Sequence, residues 1–131
     1  MRLLLDTHIV VWSLLEPARL SQAVASALSS AENELWVSPI SVWEIALLAE
    51  KGRIAVDDAD PVGWLRGALA QTPLRQAALT HEVALVSRSL DLVHQDPADR
   101  FIAATALVYE LVLVTADHRL LGSRQLRTMA N

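Results

Sequence analysis

Short, almost wholly apolar runs alternate along the chain with longer segments that have the composition of helices. Three of these runs have the continuous apolar character of strands covered on both faces: Arg2–Leu5, Leu35–Ser38 and Leu111–Thr115. A fourth segment, Leu74–Leu79, is less regular and is assigned to a short strand or an extended link. Runs of this kind predict a parallel sheet inside the molecule.

The predicted helices lie between these strands. Ser21, Ser41 and Thr80 are assigned as N-caps, and Gly52 lies just after the end of one helix. The predicted helices are Ile9–Leu15, Gln22–Ser30, Ser41 to about Lys51, Pro61–Gln71, Thr80 to about Ser89, and Pro97–Tyr109. The last residues, Arg119–Asn131, show little signal and are assigned to a short helix or turn.

Strands that alternate with helices indicate the α/β class, because a helix is the usual crossover between parallel strands. We therefore predict a three-layer α/β/α fold with a short parallel sheet. The 131 residues suit one compact domain, and no repeat or long linker divides them, so residues 1–131 are assigned to a single domain. In such sheets, ligands bind beyond the carboxyl ends of the strands, where the strand order reverses.

Carboxylates occur at the places where such a ligand site would form. Asp6 and Asp117 lie just past the ends of two predicted strands, and Glu44 and Asp99 lie in the first turns of two predicted helices. Local structure explains each acid alone. Ser41 with Glu44 has the spacing of a capping box, and acids in a first turn are favoured by the helix dipole.

The common location of these acids favours a functional explanation. Asp6, Glu44, Asp99 and Asp117 are expected at one rim of the sheet, where four negative charges repel one another without a counter-charge. A divalent cation supplies that charge, and oxygen-only ligands suit Mg²⁺ or Mn²⁺ rather than zinc. Such sites most often serve phosphoryl chemistry, in which the cation activates water and stabilises the leaving oxygen.

Composition narrows the class of protein. No run approaches the ~18 apolar residues that a membrane span requires, and the N-terminus lacks the pattern of a signal peptide, so a cytoplasmic protein without membrane contact is expected. The absence of cysteine excludes disulfides and thiolate metal sites. Apolar residues make up 53% of the chain, against about 45–50% in an average soluble protein, and this excess indicates a partner or self-association surface.

The formal net charge of −4 argues against a nucleic-acid-binding protein, because such proteins usually carry a basic surface. Two features weaken this argument. All the basic residues except Lys51 are arginine, whose planar guanidinium favours bidentate phosphate contacts. A bound metal would also neutralise clustered acids. The charge count therefore leaves nucleic-acid binding open.

Four motifs, in order along the chain, resemble those of the PIN-domain ribonucleases. They are D-T-H at Asp6–His8, S-x-x-E at Ser41–Glu44, D-P-A-D-R-F-I-A-A-T-A at Asp96–Ala106 and V-T-A-D at Val114–Asp117. The closest resemblance is to the VapC-type toxins of bacterial toxin–antitoxin modules, and it spans essentially the whole chain. It implies a small parallel sheet between helices and Mg²⁺-dependent endonucleolytic cleavage of RNA. It also implies a small antitoxin as the inhibitory partner and a homodimer as the usual unit.

The resemblance also assigns roles to the acids Asp6, Glu44, Asp99 and Asp117. It implies that Asp6 and Asp99 ligate the metal directly, with Asp117 as the third ligand. Glu44 is expected to ligate through water or to orient the nucleophile. Cleavage would then proceed by in-line attack of metal-activated water on the phosphodiester, without a covalent enzyme intermediate.

Four neighbouring residues are secondary candidates. Asp96 is either a fifth acid of the site or a helix N-cap, and we favour the cap. Thr7 and Thr115 lie beside acids, where a hydroxyl could bind water or phosphate, although local hydrogen bonding is the stronger explanation. Arg100 follows Asp99 directly, and three roles stay open for it: pairing with a rim carboxylate, orienting RNA and binding an antitoxin tail.

Aromatic rings offer a further means of contact with nucleic acid, since bases stack on them. The four tryptophans are Trp12, Trp36, Trp43 and Trp64. Trp36 and Trp43 are assigned to packing in the core or at a dimer interface. His8 lies two residues after Asp6 and is assigned as a structural hydrogen-bond donor rather than a phosphate ligand.

Other functions on a similar sheet are less consistent with the residues. A receiver-like phosphoacceptor domain needs a lysine beyond a late strand, but the one lysine, Lys51, ends a predicted helix. A haloacid-dehalogenase-type phosphatase needs a second aspartate two positions after the first, where this chain has His8. Dinucleotide binding needs a glycine-rich turn after the first strand, and all four glycines lie elsewhere. A non-catalytic binding module, whose acids are only caps, stays open.

Overall fold

The computed structural model describes residues 1–56, 59–92 and 95–131, and within these ranges it has five strands and seven α-helices. The strands are β1 Arg2–Leu5, β2 Glu34–Val37, β3 Leu74–Gln76, β4 Val112–Thr115 and β5 Thr128–Ala130. They form one sheet in the order β3-β2-β1-β4-β5, and every neighbouring pair is parallel. The predicted parallel sheet is therefore confirmed.

The central strand, β1, marks the point where the strand order reverses. From β1 the chain runs outward through β2 to β3, then returns to form β4 on the other side of β1. The carboxyl ends of β1 and β4 lie side by side, with Leu5 opposite Val114. The N–H of Asp6, the first residue after β1, donates to the Val114 carbonyl at 3.0 Å. Asp6 therefore lies at the topological switch point, where open α/β sheets bind ligands.

Helices cover both faces of the sheet, as expected for the three-layer α/β/α fold. Their bounds are α1 Thr7–Leu15, α2 Gln22–Ser29, α3 Pro39–Glu50, α4 Pro61–Gln71, α5 His81–Ser89, α6 Pro97–Val108 and α7 His118–Leu121, with a 3-10 turn at Pro17–Arg19. Among the described helices, none has the length and apolar composition needed to cross a membrane.

Two hydrophobic cores explain why β1 is apolar at successive positions. Leu4 packs in the core beneath α5 and α6, together with Ile102. Leu3 and Leu5 point to the opposite face and pack with Ile9 of α1. Because successive strand residues face opposite sides of a sheet, a strand covered on both faces has no solvent-facing position for a polar residue.

Most of the predicted helix boundaries are confirmed by capping interactions. Ser21 Oγ accepts from the Val24 N–H at 3.2 Å, and Thr80 Oγ1 accepts from the Val83 N–H at 3.2 Å. Gly52 follows the end of α3 with a φ of 68°, a left-handed conformation that costs glycine little.

The start of α3 differs from the prediction. The helix begins at Pro39, and Ser38 is its N-cap, with Ser38 Oγ accepting from the Ile40 N–H at 3.1 Å. Proline is favoured at the first helical position because it has no N–H to leave unpaired there, so Ser38 followed by Pro39 is the stronger start signal. The capping box predicted for Ser41 and Glu44 is therefore wrong, and both of these side chains bond to α1 instead.

The C-terminal segment contains more regular structure than the sequence indicated. After the short helix α7, β5 pairs in parallel with β4, placing Met129 opposite Val114. None of the three residues of β5 is buried, so this edge strand lacks the apolar run that marks the central strands.

Candidate functional site

A cleft opens at the carboxyl edge of the sheet, beside the switch point between β1 and β4. Its volume is about 520 Å³, and six of the residues assigned to the site from the sequence line it: Asp6, Thr7, Glu44, Asp96, Asp99 and Asp117. The strand ends and helix starts that carry these residues are far apart in sequence. Their convergence is the arrangement that the predicted topology requires.

Asp6 is held by hydrogen bonds to both of its carboxylate oxygens. Oδ1 accepts from the Thr7 N–H at 2.8 Å, which caps α1, and Oδ2 accepts from the Thr115 hydroxyl at 2.6 Å. The residue is only 9% exposed. Asp6 is thus a helix cap and an oriented cleft carboxylate at the same time, so the two explanations of its charge are compatible.

Thr115 connects the acids at the ends of β1 and β4. In addition to donating to Asp6, its Oγ1 accepts from the Asp117 N–H at 3.0 Å, and the residue is fully buried. Asp117 in turn caps α7 by accepting from the Arg119 N–H at 2.9 Å. The strand-end hydrogen bonding expected of Thr115 is confirmed, and it sets the relative positions of two cleft acids.

A second hydroxyl group positions Glu44. Thr7 Oγ1 donates to Glu44 Oε1 at 2.6 Å, and a 3.0 Å hydrogen bond joins the hydroxyls of Thr7 and Ser41. Thr7 and Ser41 are both buried. These bonds connect α1 to α3 rather than residues close in sequence, so the purely local role expected of Thr7 is wrong.

The acids of the cleft repel one another, as the sequence predicted. Burial raises the pKa of Glu44 above its usual value of 4.5, and the charges of Asp6 and Asp96 raise it further. The hydrogen bond from Thr7 opposes this change because it stabilises the charged carboxylate. A carboxyl pKa raised on folding means that the Glu44 charge lowers the stability of the folded protein at neutral pH.

Replacing Glu44 by glutamine is therefore expected to raise the melting temperature of the protein in EDTA near pH 7. Glutamine keeps an oxygen acceptor for the Thr7 hydroxyl but removes the repelled charge. The gain should shrink as the pH falls through the raised pKa of Glu44 and be absent below the usual carboxyl value of 4.5, because a protonated Glu44 carries no charge to be repelled. Thermal melts across this pH range check the expectation, with the exposed Glu32→Gln as a charge-matched control. A melting temperature for Glu44→Gln that is unchanged or lower near pH 7 would contradict it.

The first turn of α6 contributes the remaining two acids. Asp96 Oδ1 accepts from the N–H groups of Ala98 and Asp99, at 3.0 and 3.3 Å. The N-cap predicted at Asp96 is therefore confirmed, and the same residue also lines the cleft. Asp99 is the third residue of α6, within its first turn, and its side chain is 16% exposed.

Arg119 places a positive charge among these acids. Its Nε and Nη2 lie 3.2 and 2.9 Å from the two carboxylate oxygens of Asp117, and Nη2 lies 3.5 Å from Asp99 Oδ2. The hydrogen bond to Asp117 raises the pKa of the Arg119 guanidinium. Because the Arg119 side chain is 57% exposed, water screens the ion pair, and its contribution to stability is modest.

The acids share the cleft but are not already arranged as a metal centre. In the described ranges, no group of three or more His, Cys, Asp or Glu side chains is close enough to hold one ion. The Arg119 guanidinium contacts both Asp99 and Asp117. Ligation of a metal by Asp6, Asp99 and Asp117 therefore stays a prediction.

Arg100 does not face the cleft, contrary to expectation. It is 5% exposed, and its Nε and Nη2 donate to the carbonyls of Ser87 and Leu90, at 2.9 and 3.0 Å, where α5 ends. Successive helix residues are rotated by about 100°, so Arg100 projects into the core while Asp99 reaches the cleft. The three site roles considered for Arg100 are therefore wrong, and its function is to fasten α5 to α6.

Four further cleft residues were not assigned to the site from the sequence: Trp12, Arg19, Ala116 and Arg119. His8 also lines the cleft; its side chain is exposed and makes no hydrogen bond within the described residues, so the donor role predicted for it is not found. The sequence did contain a signal that His8 and Trp12 lie together, because the two residues are four positions apart on one helix and therefore share a face.

Comparison with known proteins identifies the family. The family model described as the PIN domain matches residues 3–122. The chain belongs to the PIN-domain family. Ribonuclease VapC22 of Mycobacterium tuberculosis is 43% identical to this PIN domain over 126 residues, which cover 95% of the chain and 93% of that protein.

Solved structures agree with the fold of this PIN domain. VapBC2 from Rickettsia felis, bound to a promoter DNA fragment, matches with a TM-score of 0.75 and 16% identity, over 99% of this chain and 98% of that chain. FitAcB from Neisseria gonorrhoeae matches with a TM-score of 0.68 and 23% identity, over 98% and 96% of the two chains. At these identities the likeness is one of fold, and it confirms the predicted PIN-like architecture.

Proposed function

We propose that this PIN domain is a metal-dependent endoribonuclease and the toxin of a toxin–antitoxin pair. The observation that carries the proposal is the convergence of Asp6, Glu44, Asp99 and Asp117 in one cleft at the switch point of the sheet. The 43% identity to a VapC ribonuclease supports RNA as the substrate. The raised pKa of Glu44 in this cleft also supports a functional site, because carboxyl groups with raised pKa values often occur at such sites.

Mg²⁺ or Mn²⁺ is the cofactor that the donor atoms fit. Asp6, Asp99 and Asp117 would hold it through carboxylate oxygens, the donors that these hard cations prefer, and the chain has no cysteine. When bound, the cation supplies activation of a water molecule and stabilisation of the charge that develops on the phosphate during phosphodiester hydrolysis.

The protein's own residues are proposed to position the reacting groups. Thr115 holds Asp6 in one orientation, and Thr7 does the same for Glu44, each through a 2.6 Å hydrogen bond. Glu44 is proposed to orient the attacking water, since its carboxylate lines the cleft beside Asp6. Hydroxyl groups that lock carboxylates in this way reduce the reorganisation required during the reaction.

Metal-dependent cleavage of RNA by the purified wild-type protein tests this proposal. We expect internal cleavage of labelled single-stranded RNA in Mg²⁺ or Mn²⁺, no cleavage in EDTA, and recovery when excess metal is added. Cleavage that persists in EDTA would contradict the metal dependence. No cleavage with either metal would contradict the nuclease function itself.

A non-catalytic binding module is the second candidate, and one observation favours it. Asp6, Asp96 and Asp117 each cap a helix, so local structure explains three of the cleft acids. If capping is their whole role, changing Asp6 or Asp117 to alanine should lower stability, and changing either to asparagine, which caps as well as aspartate, should leave Mn²⁺ affinity unchanged. The nuclease proposal requires that the affinity fall.

The proposed partners are an antitoxin protein and a second copy of the chain, in a homodimer. A solved toxin–antitoxin complex from Klebsiella pneumoniae, with a TM-score of 0.69, supports the first of these. Trp43 is 59% exposed and lies between two apolar surface pockets, one lined by Val62 and the other by Phe101. This exposed apolar surface supports the proposal of an interface with a partner. Because the substrate would be cellular RNA, the cytoplasm is the proposed location.

Arg119→Gln is expected to strengthen Mn²⁺ binding by about two- to fivefold, because it removes a screened cation that competes for Asp99 and Asp117. Calorimetric titration with Mn²⁺ measures the change. Arg19→Gln is the matched control, since Arg19 lines the same cleft but pairs with Glu16, at 3.7 Å. Equal gains in both variants, or no gain in Arg119→Gln, would show that Arg119 does not compete with the metal.

A further inference from the structure

We propose that His8, Trp12 and Arg19 form a binding site for one nucleotide of single-stranded RNA, next to the acids of the cleft. The inference rests on the proposed nuclease function. It identifies the side of the cleft that would bind the RNA substrate. All three side chains line the cleft that contains Asp6 and Asp99. A nucleotide bound against them would therefore lie close to the scissile phosphodiester of the same RNA strand.

The three side chains form one continuous layer. The rings of His8 and Trp12 have their centroids 5.8 Å apart, with an interplanar angle of 50°. The guanidinium carbon of Arg19 lies 4.6 Å from the centroid of the Trp12 ring, within the range of a cation–π contact. His8 and Trp12 project from one face of α1, and Arg19 ends the 3-10 turn that follows this helix.

Core packing explains only part of this layer. The partly buried ring of Trp12 packs against the core that contains Ile9, but its remaining surface lines the cleft, and His8 and Arg19 are exposed. The backbone beneath the layer is nevertheless fixed, because the Arg19 carbonyl accepts from Asn131 Nδ2 at 3.1 Å and the Arg19 N–H donates to the Glu16 carbonyl at 2.9 Å. An exposed layer of aromatic and cationic groups on a fixed backbone is preorganised for a ligand.

The negative charge of the cleft explains why RNA would need a cationic contact beside the acids. Five acids line the cleft and repel phosphate groups: Asp6, Glu44, Asp96, Asp99 and Asp117. In the part of the chain that the structure describes, the arginines of the cleft are Arg19 and Arg119, and the second of these is held by two aspartates. The 3.7 Å contact of Arg19 with Glu16 joins two half-exposed side chains and is easily exchanged. Arg19 is therefore the cation best placed to contact a phosphate.

The chemistry of the layer matches an unpaired nucleotide. Bases stack on aromatic rings and on guanidinium planes, and stacking leaves the in-plane N–H groups of Arg19 directed towards a neighbouring phosphate. Every base has a face that can stack, so weak sequence preference is expected at this position. A base inside a duplex has no free face, so single-stranded RNA is preferred.

Fluorescence anisotropy with a labelled RNA of roughly ten nucleotides tests the proposal, with Asp6→Asn as the common background so that the RNA stays intact. Trp12→Ala is expected to weaken binding about tenfold, and Arg19→Gln about fivefold, as for the loss of one stacked base or one phosphate contact. Trp12→Phe should retain most of the affinity. Arg88→Gln, an exposed arginine on α5, should bind like the background. In the otherwise wild-type enzyme, Arg19→Gln should raise KM more than it lowers kcat.

Three results would overturn the inference. The first is an unchanged RNA affinity in both Trp12→Ala and Arg19→Gln while the wild type still cleaves RNA, which would leave the nuclease function standing. The second is equal affinity of the background protein for single- and double-stranded RNA, since stacking requires a free base. The third applies if Trp12→Ala loses RNA binding only because it unfolds. In that case, an unchanged RNA affinity of Arg19→Gln would overturn the inference. Failure of the wild type to cleave RNA at all would instead overturn the proposed function.

Discussion

Replacing Asp6 by asparagine is expected to reduce RNA cleavage by more than about a hundredfold, while the protein stays folded. Removing a group that merely orients a metal ligand typically costs about 10- to 100-fold, and Asp6 is proposed to ligate directly. Asparagine keeps an oxygen to accept from the Thr7 N–H and is as good an N-cap as aspartate. The amide nitrogen of asparagine cannot accept from the Thr115 hydroxyl as Oδ2 does, so a loss of stability of about 1–3 kcal/mol is expected as well. The losses of activity and of metal affinity should be much larger than this change in stability explains.

Initial cleavage rates in Mg²⁺ and in Mn²⁺, measured beside thermal melts of the same preparations, check this expectation. Asp91→Asn is the matched control because it makes the same chemical change at an exposed position. Rates for Asp6→Asn equal to those of Asp91→Asn would show that the carboxylate has no part in the reaction. A collapse of the melting temperature would show instead that the Asp6 carboxylate acts mainly in folding, through its buried hydrogen bond from Thr115.

Replacing Arg100 by methionine is expected to destabilise the protein by about 3–5 kcal/mol. Methionine fills much of the same volume but donates no hydrogen bond, so the carbonyls of Ser87 and Leu90 lose their charged donor in a buried position. The positive charge near the C-terminal end of α5, which the helix dipole favours, is lost as well.

Urea unfolding of the wild type and Arg100→Met measures this effect. Arg88→Met, at an exposed position on α5, is the matched control and should change the unfolding free energy by less than about 1 kcal/mol. Arg100→Lys should fall between the two, because one ammonium group does not reach both carbonyls as the guanidinium does. A loss below about 1 kcal/mol for Arg100→Met would mean that α5 and α6 are held together without this residue.

The central strands could be predicted from the sequence because burial on both faces leaves an unbroken apolar run. Leu3, Leu4 and Leu5 belong to two different cores, and the run they form is visible without any structure. β5 could not be found in this way, because an edge strand with no buried residue carries no such pattern. Its pairing with β4 is specified by tertiary contacts rather than by its own composition.

The acids of the site could be predicted because topology places strand ends and helix starts at one edge of the sheet. Asp6, Glu44, Asp99 and Asp117 needed only the order of elements to be placed together. The hydroxyl bonds that orient them could not be predicted, since Thr7 and Glu44 are 37 residues apart. The capping role and the site role of these aspartates also do not exclude each other, because a carboxylate that caps a helix still has lone pairs that face the cleft.

The arginines show where adjacency in sequence is misleading. Arg100 follows Asp99 and yet faces the core, because one helical step turns the side chain through about 100°. Arg119 is two residues from Asp117, in a short capped turn where no periodic pattern predicts direction, and it reaches the acids. Arg19 is further still from any acid of the set, and only the fold brings it to the cleft.

An anomalous difference map from crystals of the protein soaked in Mn²⁺ tests the central claim most directly. We predict a peak in the cleft at the switch point of the sheet, within about 2.0–2.3 Å of carboxylate oxygens of Asp6 and Asp99, with Asp117 released from Arg119. No peak in the cleft, with Arg119 still paired to Asp99 and Asp117 at saturating Mn²⁺, would contradict the claim that these acids form a metal site.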